Sequence, residues 1–194
     1  MDRGLLAQLL LASGDPATLI APNVHFHAPK EWVVTQIIMI DYKEDWRVLD
    51  ERAIASFKHS VAPVAQHMIL SSGDAESVRL LTDGVAGLRI GYDPCHDGAL
   101  ERLMLSRDFA GFVRDAVAAS PRAEMIYLAY PLVLEADRAG FDMVAAFHAE
   151  SRRVDAYTIQ QANAESQPKI ARLLELEVDQ ITTDDPEGLV ALMG

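Results

Sequence analysis

The sequence predicts an α/β domain with about six βα units on a parallel sheet, and three observations predict it. Short apolar or β-branched runs alternate with longer helical patterns from Trp32 to the C-terminus, the order expected when each strand is followed by a helical crossover. Several runs are apolar on consecutive residues, Ile37-Ile38-Met39-Ile40 among them, as a strand covered on both faces requires. No Gly/Ser/Pro-rich linker or low-complexity tract divides the 194 residues, so 1–194 reads as a single domain with an atypical segment over 1–30. Two architectures stay open on this pattern, a doubly wound open sheet and most of a (β/α)8 barrel, since polar residues cluster after strand ends in both.

Taken in order, the first apolar run, 5–12, reads as an amphipathic helix stopped at Gly14 and turned by Asp15-Pro16. With Arg3 before it and Ser13-Gly14 after it, the run also imitates a signal peptide. It is far shorter than the ~20 residues of a transmembrane helix. Strands are expected over 33–41, 67–71, 88–90, 125–129, 153–159 and 178–183. The crossovers are expected as helices over 46–58, 75–81, 98–119 in one or two pieces, the 132–150 region and 166–176. Residues 143–186 repeat helix, loop, strand and polar loop twice in the same sense, which marks two consecutive αβ units. A last helix starts at Pro186, with the Asp185 carboxylate as its N-cap and proline tolerated in the first turn.

Charge narrows the partners. With 29 acidic and 17 basic side chains the formal charge is −12, which repels nucleic acid phosphates and anionic lipid surfaces. The partner expected is a small molecule, with no nucleic acid and no membrane span. Cys95 is the single cysteine; it excludes an internal disulfide and a multi-cysteine zinc site and fits a reducing, cytoplasmic location.

The leading chemical candidate is Ile40-Asp41-Tyr42-Lys43-Glu44-Asp45, where an apolar strand ends in alternating charge. Period-two geometry puts Asp41 and Lys43 on one face, at the strand end where barrel active sites sit. A carboxylate there can hold a divalent cation and an ammonium can bind a phosphoryl oxygen; an ordinary salt-bridged strand end fits the same spacing. His25 and His27, two apart, would share one face of a strand as a weaker metal pair, against a surface turn bracketed by Pro22 and Pro29. Cys95-His96-Asp97 reads as a polar turn, since adjacent residues point apart and rarely pair as nucleophile and base. His148 reads as a surface or packing residue, Arg152-Arg153 as a solvated loop, and Tyr157 as a half-buried strand aromatic.

Several of these runs together resemble one enzyme family. Tyr157-Thr158-Ile159-Gln160 and Glu177-Val178-Asp179-Gln180-Ile181-Thr182-Thr183-Asp184-Asp185-Pro186 are similar to the closing strands of the glycerophosphodiester phosphodiesterase barrel, which carry Trp-Thr-Val-Asn and Gly-Val-Asp-Gly-Ile-Ile-Thr-Asp-x-Pro. Asp41 and Lys43 match a Glu-x-Lys of that family, and Ile69-Leu70-Ser71-Ser72 and Leu88-Arg89-Ile90-Gly91-Tyr92-Asp93-Pro94 extend the likeness over roughly 32–193. It implies strands three to eight of an incomplete (β/α)8 barrel of the TIM type. It also implies Asp41 as a metal ligand, Lys43 and Tyr157 as substrate-binding residues, and a divalent cation, calcium or magnesium. The family reaction is hydrolysis of a glycerophosphodiester to glycerol 3-phosphate and an alcohol, in lipid and glycerol metabolism. Asp41 is one methylene shorter than the family's Glu, Tyr157 replaces Trp, Gln160 replaces Asn, and Glu177 and Gln180 replace glycines. The family's His-Arg-Gly, Glu-Asn-Thr, Glu-x-Asp and His-Asp runs, which carry its acid/base histidines and most metal ligands, have no counterpart. The catalytic pair is therefore unassigned, and the chain alone is expected to be nearly inactive. Two alternatives stand beside this reading: a non-catalytic barrel binding a phosphorylated ligand or partner, and a His-x-His metal hydrolase. An incomplete barrel also leaves open sheet edges, for which short strands over 17–20 and 24–27 or a second copy of the chain are the expected covers.

Overall fold

The structure, a computed structural model, describes residues 37–96 and 98–193. Six strands, β1 (Ile38–Tyr42), β2 (Met68–Ser72), β3 (Arg89–Tyr92), β4 (Met125–Ala129), β5 (Arg153–Ile159) and β6 (Gln180–Thr183), form one all-parallel sheet in the order β1-β2-β3-β4-β5-β6. That order separates the two architectures left open by the sequence. A doubly wound sheet reverses its winding at a switch point, whereas here every strand is laid beside its predecessor, as in a barrel. The sheet curls into an incomplete α/β barrel, and among the described residues β1 and β6 are its edges.

The crossovers are α1 (Glu51–Val61), α2 (Ala75–Thr82), α3 (Ala99–Ser106), α4 (Phe109–Ala119), α5 (Tyr130–Arg138), α6 (Met143–Ala149) and α7 (Gln167–Glu175), with α8 (Pro186–Met193) after β6. Aspartates start most of them. Asp50, Asp74, Asp108 and Asp142 each accept a backbone N–H three residues on, which satisfies an amide the helix leaves orphaned. Asp185 caps α8 as expected, accepting from the Gly188 amide at 3.0 Å.

One expected helix is divided, and two regions that the sequence left open each resolve into two helices. The 46–58 segment becomes a 3-10 turn over Trp46–Val48 and then α1, because Asp45 and Asp50 each cap their own start. The 98–119 segment breaks at Arg107, whose φ is 56°, with Asp108 restarting the chain. The 132–150 region breaks at Gly140, where a φ of 82° favours a residue without a Cβ. Strands over 125–129 and 153–159 match their expected limits; β3 runs two residues further than expected and β6 starts two residues later. Expectations placed on 1–36, including the helix over 5–12 and the short strands over 17–20 and 24–27, lie outside the described residues.

Strand parity sorts side chains to two faces. Ile126, Leu128, Val154 and Ala156 point outward into a core with Leu132, Val144, Phe147, Ile170 and Leu173 from the covering helices, and Ile159 joins them because the register shifts between Ala156 and Ile159. Met68 and Leu70 of β2 pack with Val61, Ala65, Leu81 and Leu88 in a second cluster. Inside the barrel a smaller cluster joins Ile69, Met125 and Tyr127, with Tyr157 against it. Gly91 makes room for that cluster: a Cβ there would lie 2.5 Å from the Tyr127 ring and 3.1 Å from the Ser71 Cβ. No helix among the described residues is long and apolar enough to cross a membrane.

Candidate functional site

The C-terminal ends of the strands open onto a cavity of about 250 Å³ lined by Met39, Asp41, Lys43, Ser71, Asp93, Tyr127, Tyr157, Thr158 and Thr182. Register assembles it. Asp41 of β1 pairs with Ser71 of β2, Gly91 of β3 with Met125 of β4, and Tyr127 of β4 with Asp155 of β5. Inward-facing residues of neighbouring strands thus stack in layers, polar groups uppermost and Ile69, Met125 and Tyr127 below.

Lys43 and Asp41 share the face predicted for them and pair with each other, Nζ to Oδ2 at 2.5 Å. The Lys43 side chain is 72% exposed. The pair therefore satisfies the salt-bridged strand-end reading while also facing the cavity, where a competing anion can reach the ammonium.

Tyr157 and Asp93 form the second polar couple. The Tyr157 hydroxyl donates to both Asp93 oxygens, at 3.1 and 3.0 Å, and the Cys95 amide donates to Asp93 Oδ1 at 2.9 Å. Burial raises the Asp93 carboxyl above the usual carboxylate range, with the negative Asp41 adding to it, against the lowering by the Cys95 amide, the Tyr157 hydroxyl and Lys43. Burial, and then the charges of Cys95 and Asp93, hold the Tyr157 phenol far above its ordinary value. The Cys95 thiol is pushed up to about 12, chiefly by burial, so it is neither a thiolate nucleophile nor a ready metal ligand at neutral pH.

Beneath Tyr157, Asp155 is fully buried. The Thr182 hydroxyl lies 3.0 and 2.9 Å from its two oxygens. Burial pushes its carboxyl up to about 7, against the lowering by Thr182 and Gln180.

Of the residues singled out from sequence, the structure brings Asp41, Lys43 and Tyr157 to one cavity. His25 and His27 lie outside the described residues, as does Asp97. His148 takes the packing alternative of its surface-or-packing reading: its Nε2 is 2.9 Å from Asp179 Oδ2, which also accepts the Val154 amide at 2.8 Å. The Arg pair is not simply solvated either, since Arg152 donates to the Pro121 carbonyl and Arg153 pairs with Glu124. Asp93, Ser71, Thr182 and Asp155 were not singled out as site residues. Asp93 was within reach, because it lies two residues beyond Gly91 on the same face as the logic for Asp41 and Lys43 requires.

A divalent cation is the cofactor implied by the family resemblance. Among the described residues no three His, Cys, Asp or Glu side chains gather. Asp41 is engaged by Lys43, and Asp93 by Tyr157 and the Cys95 amide. Calcium takes about six to eight oxygens and magnesium a near-octahedral set. The described donors alone therefore do not fit a resident cation.

A parallel barrel entered through its C-terminal mouth invites comparison with solved barrels. A glycerophosphodiester phosphodiesterase from Parabacteroides distasonis ATCC 8503 superposes with a TM-score of 0.53 at 13% identity, over 81% of this chain and 57% of that one. The glycerophosphodiester phosphodiesterase from Agrobacterium tumefaciens str. C58 gives 0.50 at 14%, over 81% and 55%. The chain has a glycerophosphodiester phosphodiesterase-like fold. It spans a little over half the length of these two glycerophosphodiester phosphodiesterases. No family model and no curated protein matches it in sequence.

Proposed function

We propose that the barrel mouth binds a glycerophosphodiester, in the reaction class of phosphoric diester hydrolysis and in the setting of lipid and glycerol metabolism. The observation that carries this reading is the shared cavity of Lys43, Asp93 and Tyr157 at the C-terminal strand ends of a barrel with that fold. Lys43 is the cation in its lining and exchanges its Asp41 partner for a phosphoryl oxygen. The Tyr157 ring, fixed by the Asp93 bond, packs against the glycerol carbons. Asp93 is the mouth carboxyl best suited to hold a proton, since burial raises it. Asp41 contributes to a calcium or magnesium site only with ligands beyond the described residues. The half-buried free Cys95 supports a reducing, cytoplasmic setting.

Calorimetric titration with glycerophosphocholine in calcium tests this. Binding is expected, with Lys43→Ala weakening it about tenfold or more; unchanged affinity in that variant overturns the reading. Both mouth carboxyls are already engaged, Asp41 by Lys43 and Asp93 by Tyr157, which supports the second reading, a barrel that binds a phosphorylated ligand without turning it over. Phosphorus NMR separates the two: sustained release of glycerol 3-phosphate by the purified chain excludes the non-catalytic barrel.

A further inference from the structure

A second cavity, of about 390 Å³, opens beside the mouth between the start of α5 and the loop joining β5 to α7. Thr158 lines both cavities, so the two are neighbours across one side chain. We propose that this second cavity is the subsite for the alcohol arm of the diester, and that it selects a polyhydroxylated alcohol. The proposal rests on the glycerophosphodiester reading for its ligand and on the cavity's own chemistry for its selectivity.

The loop is built before any ligand arrives. Asn163 Oδ1 accepts the Glu165 and Ser166 amides at 2.9 and 3.3 Å. Ser166 Oγ accepts the Asn163 amide at 2.9 Å, and Asp185 of the α8 cap accepts the Ala162 amide at 3.1 Å. These bonds use the loop's backbone and its Asn and Ser side chains. The side chains of Gln160, Glu165 and Lys169 line the cavity and make no hydrogen bond or ion pair among the described residues.

The lining thus carries an amide, a carboxylate and an ammonium, which together supply both donors and acceptors. Hydroxyl groups, each one donor and two acceptors, complement such a set. A quaternary ammonium would be better served by several aromatic faces, and Tyr130 is the aromatic in the lining. A second phosphate would meet Glu165 as well as Lys169, so its charge would be opposed as much as matched. The volume lies within the ~300–1,000 Å³ range of small-molecule sites.

Calorimetry with glycerophosphoinositol and glycerophosphocholine, on wild type, Gln160→Ala, Lys169→Met and Lys43→Ala, tests the proposal. Gln160→Ala and Lys169→Met each weaken the inositol diester about tenfold, the scale of one lost hydrogen bond to a charged or polar group. They leave the choline diester within about twofold, while Lys43→Ala weakens both. Equal effects on the two diesters, or none on the inositol diester, overturn the subsite while leaving the mouth reading intact. Should neither diester bind wild type, the mouth reading fails, and saturation-transfer NMR with free myo-inositol decides the cavity by itself. Contact that is lost in Gln160→Ala sustains the subsite; no contact with wild type ends it.

Discussion

Asp155 shows what one buried carboxyl does to the molecule. Its folded value of about 7 stands above the unfolded value near 3.8. The folded state therefore binds the extra proton between these limits, and stability falls as pH rises through that window. The stability linked to the proton is fully present below about pH 4 and lost above about pH 7, a change on the order of a few kcal/mol. Asp155→Asn keeps a partner for Thr182 and removes the titration. Urea unfolding at pH 5 and pH 8 should show wild type losing stability across the interval and the variant losing much less; equal pH slopes would contradict the assignment. Tyr157→Phe probes the layer above. It keeps the ring but removes the hydroxyl that donates to Asp93, so roughly 1–3 kcal/mol of stability should be lost, while affinity for a glycerophosphodiester stays within a few-fold. Residue by residue, the shared face of Asp41 and Lys43 was legible because strand parity is local. The Tyr157 to Asp93 bond spans 64 positions, and no local pattern carries it.

Elements were legible where the apolar run and the strand coincide. β4 holds four consecutive buried residues and β5 three, and those buried runs mark the two strands even though Arg153, Asp155 and Thr158 of β5 are polar. Helix periodicity is weaker evidence, since it averages over a window and does not say where the backbone reverses. In the 132–150 region the helix expected from 143 is present, and the break before it is made where Gly140 takes a φ of 82° and Asp142 accepts the Ala145 amide at 2.9 Å. The same competition splits 46–58, where Asp50 accepts the Ala53 amide at 2.6 Å. Asp50→Ala should therefore cost about 1 kcal/mol, read as a lower urea midpoint with the slope unchanged, while Asp50→Asn should recover most of it.

At the scale of the molecule the consequence lies at the two edges of the sheet. A closed barrel has no unpaired ladder groups, whereas β1 and β6 each present one among the described residues. β1 is five residues long and carries Asp41 at its upper end beside Lys43, charges that discourage edge-to-edge pairing. β6 has four residues, none charged, so it is the less guarded of the two. The incompleteness itself was legible in the unmatched family runs, whereas the curl of the sheet and the identity of the edges depend on pairings that lie far apart in sequence. Two covers are expected from the sequence, short strands over 17–20 and 24–27 or a second copy of the chain, and the second is tested by concentration. Amide hydrogen exchange followed by mass spectrometry should show greatest protection in β4, flanked on both sides, and least in β1 and β6. Raising the concentration from about 1 to about 100 μM should increase protection at the edge strands while β4 stays unchanged, because pairing between copies follows mass action. Light scattering over the same range should show mass rising above the 21.3 kDa of one chain. Edge strands as protected as β4 at every concentration, in a particle of constant single-chain mass, would mean that the ladder is completed within the chain and that no partner is needed.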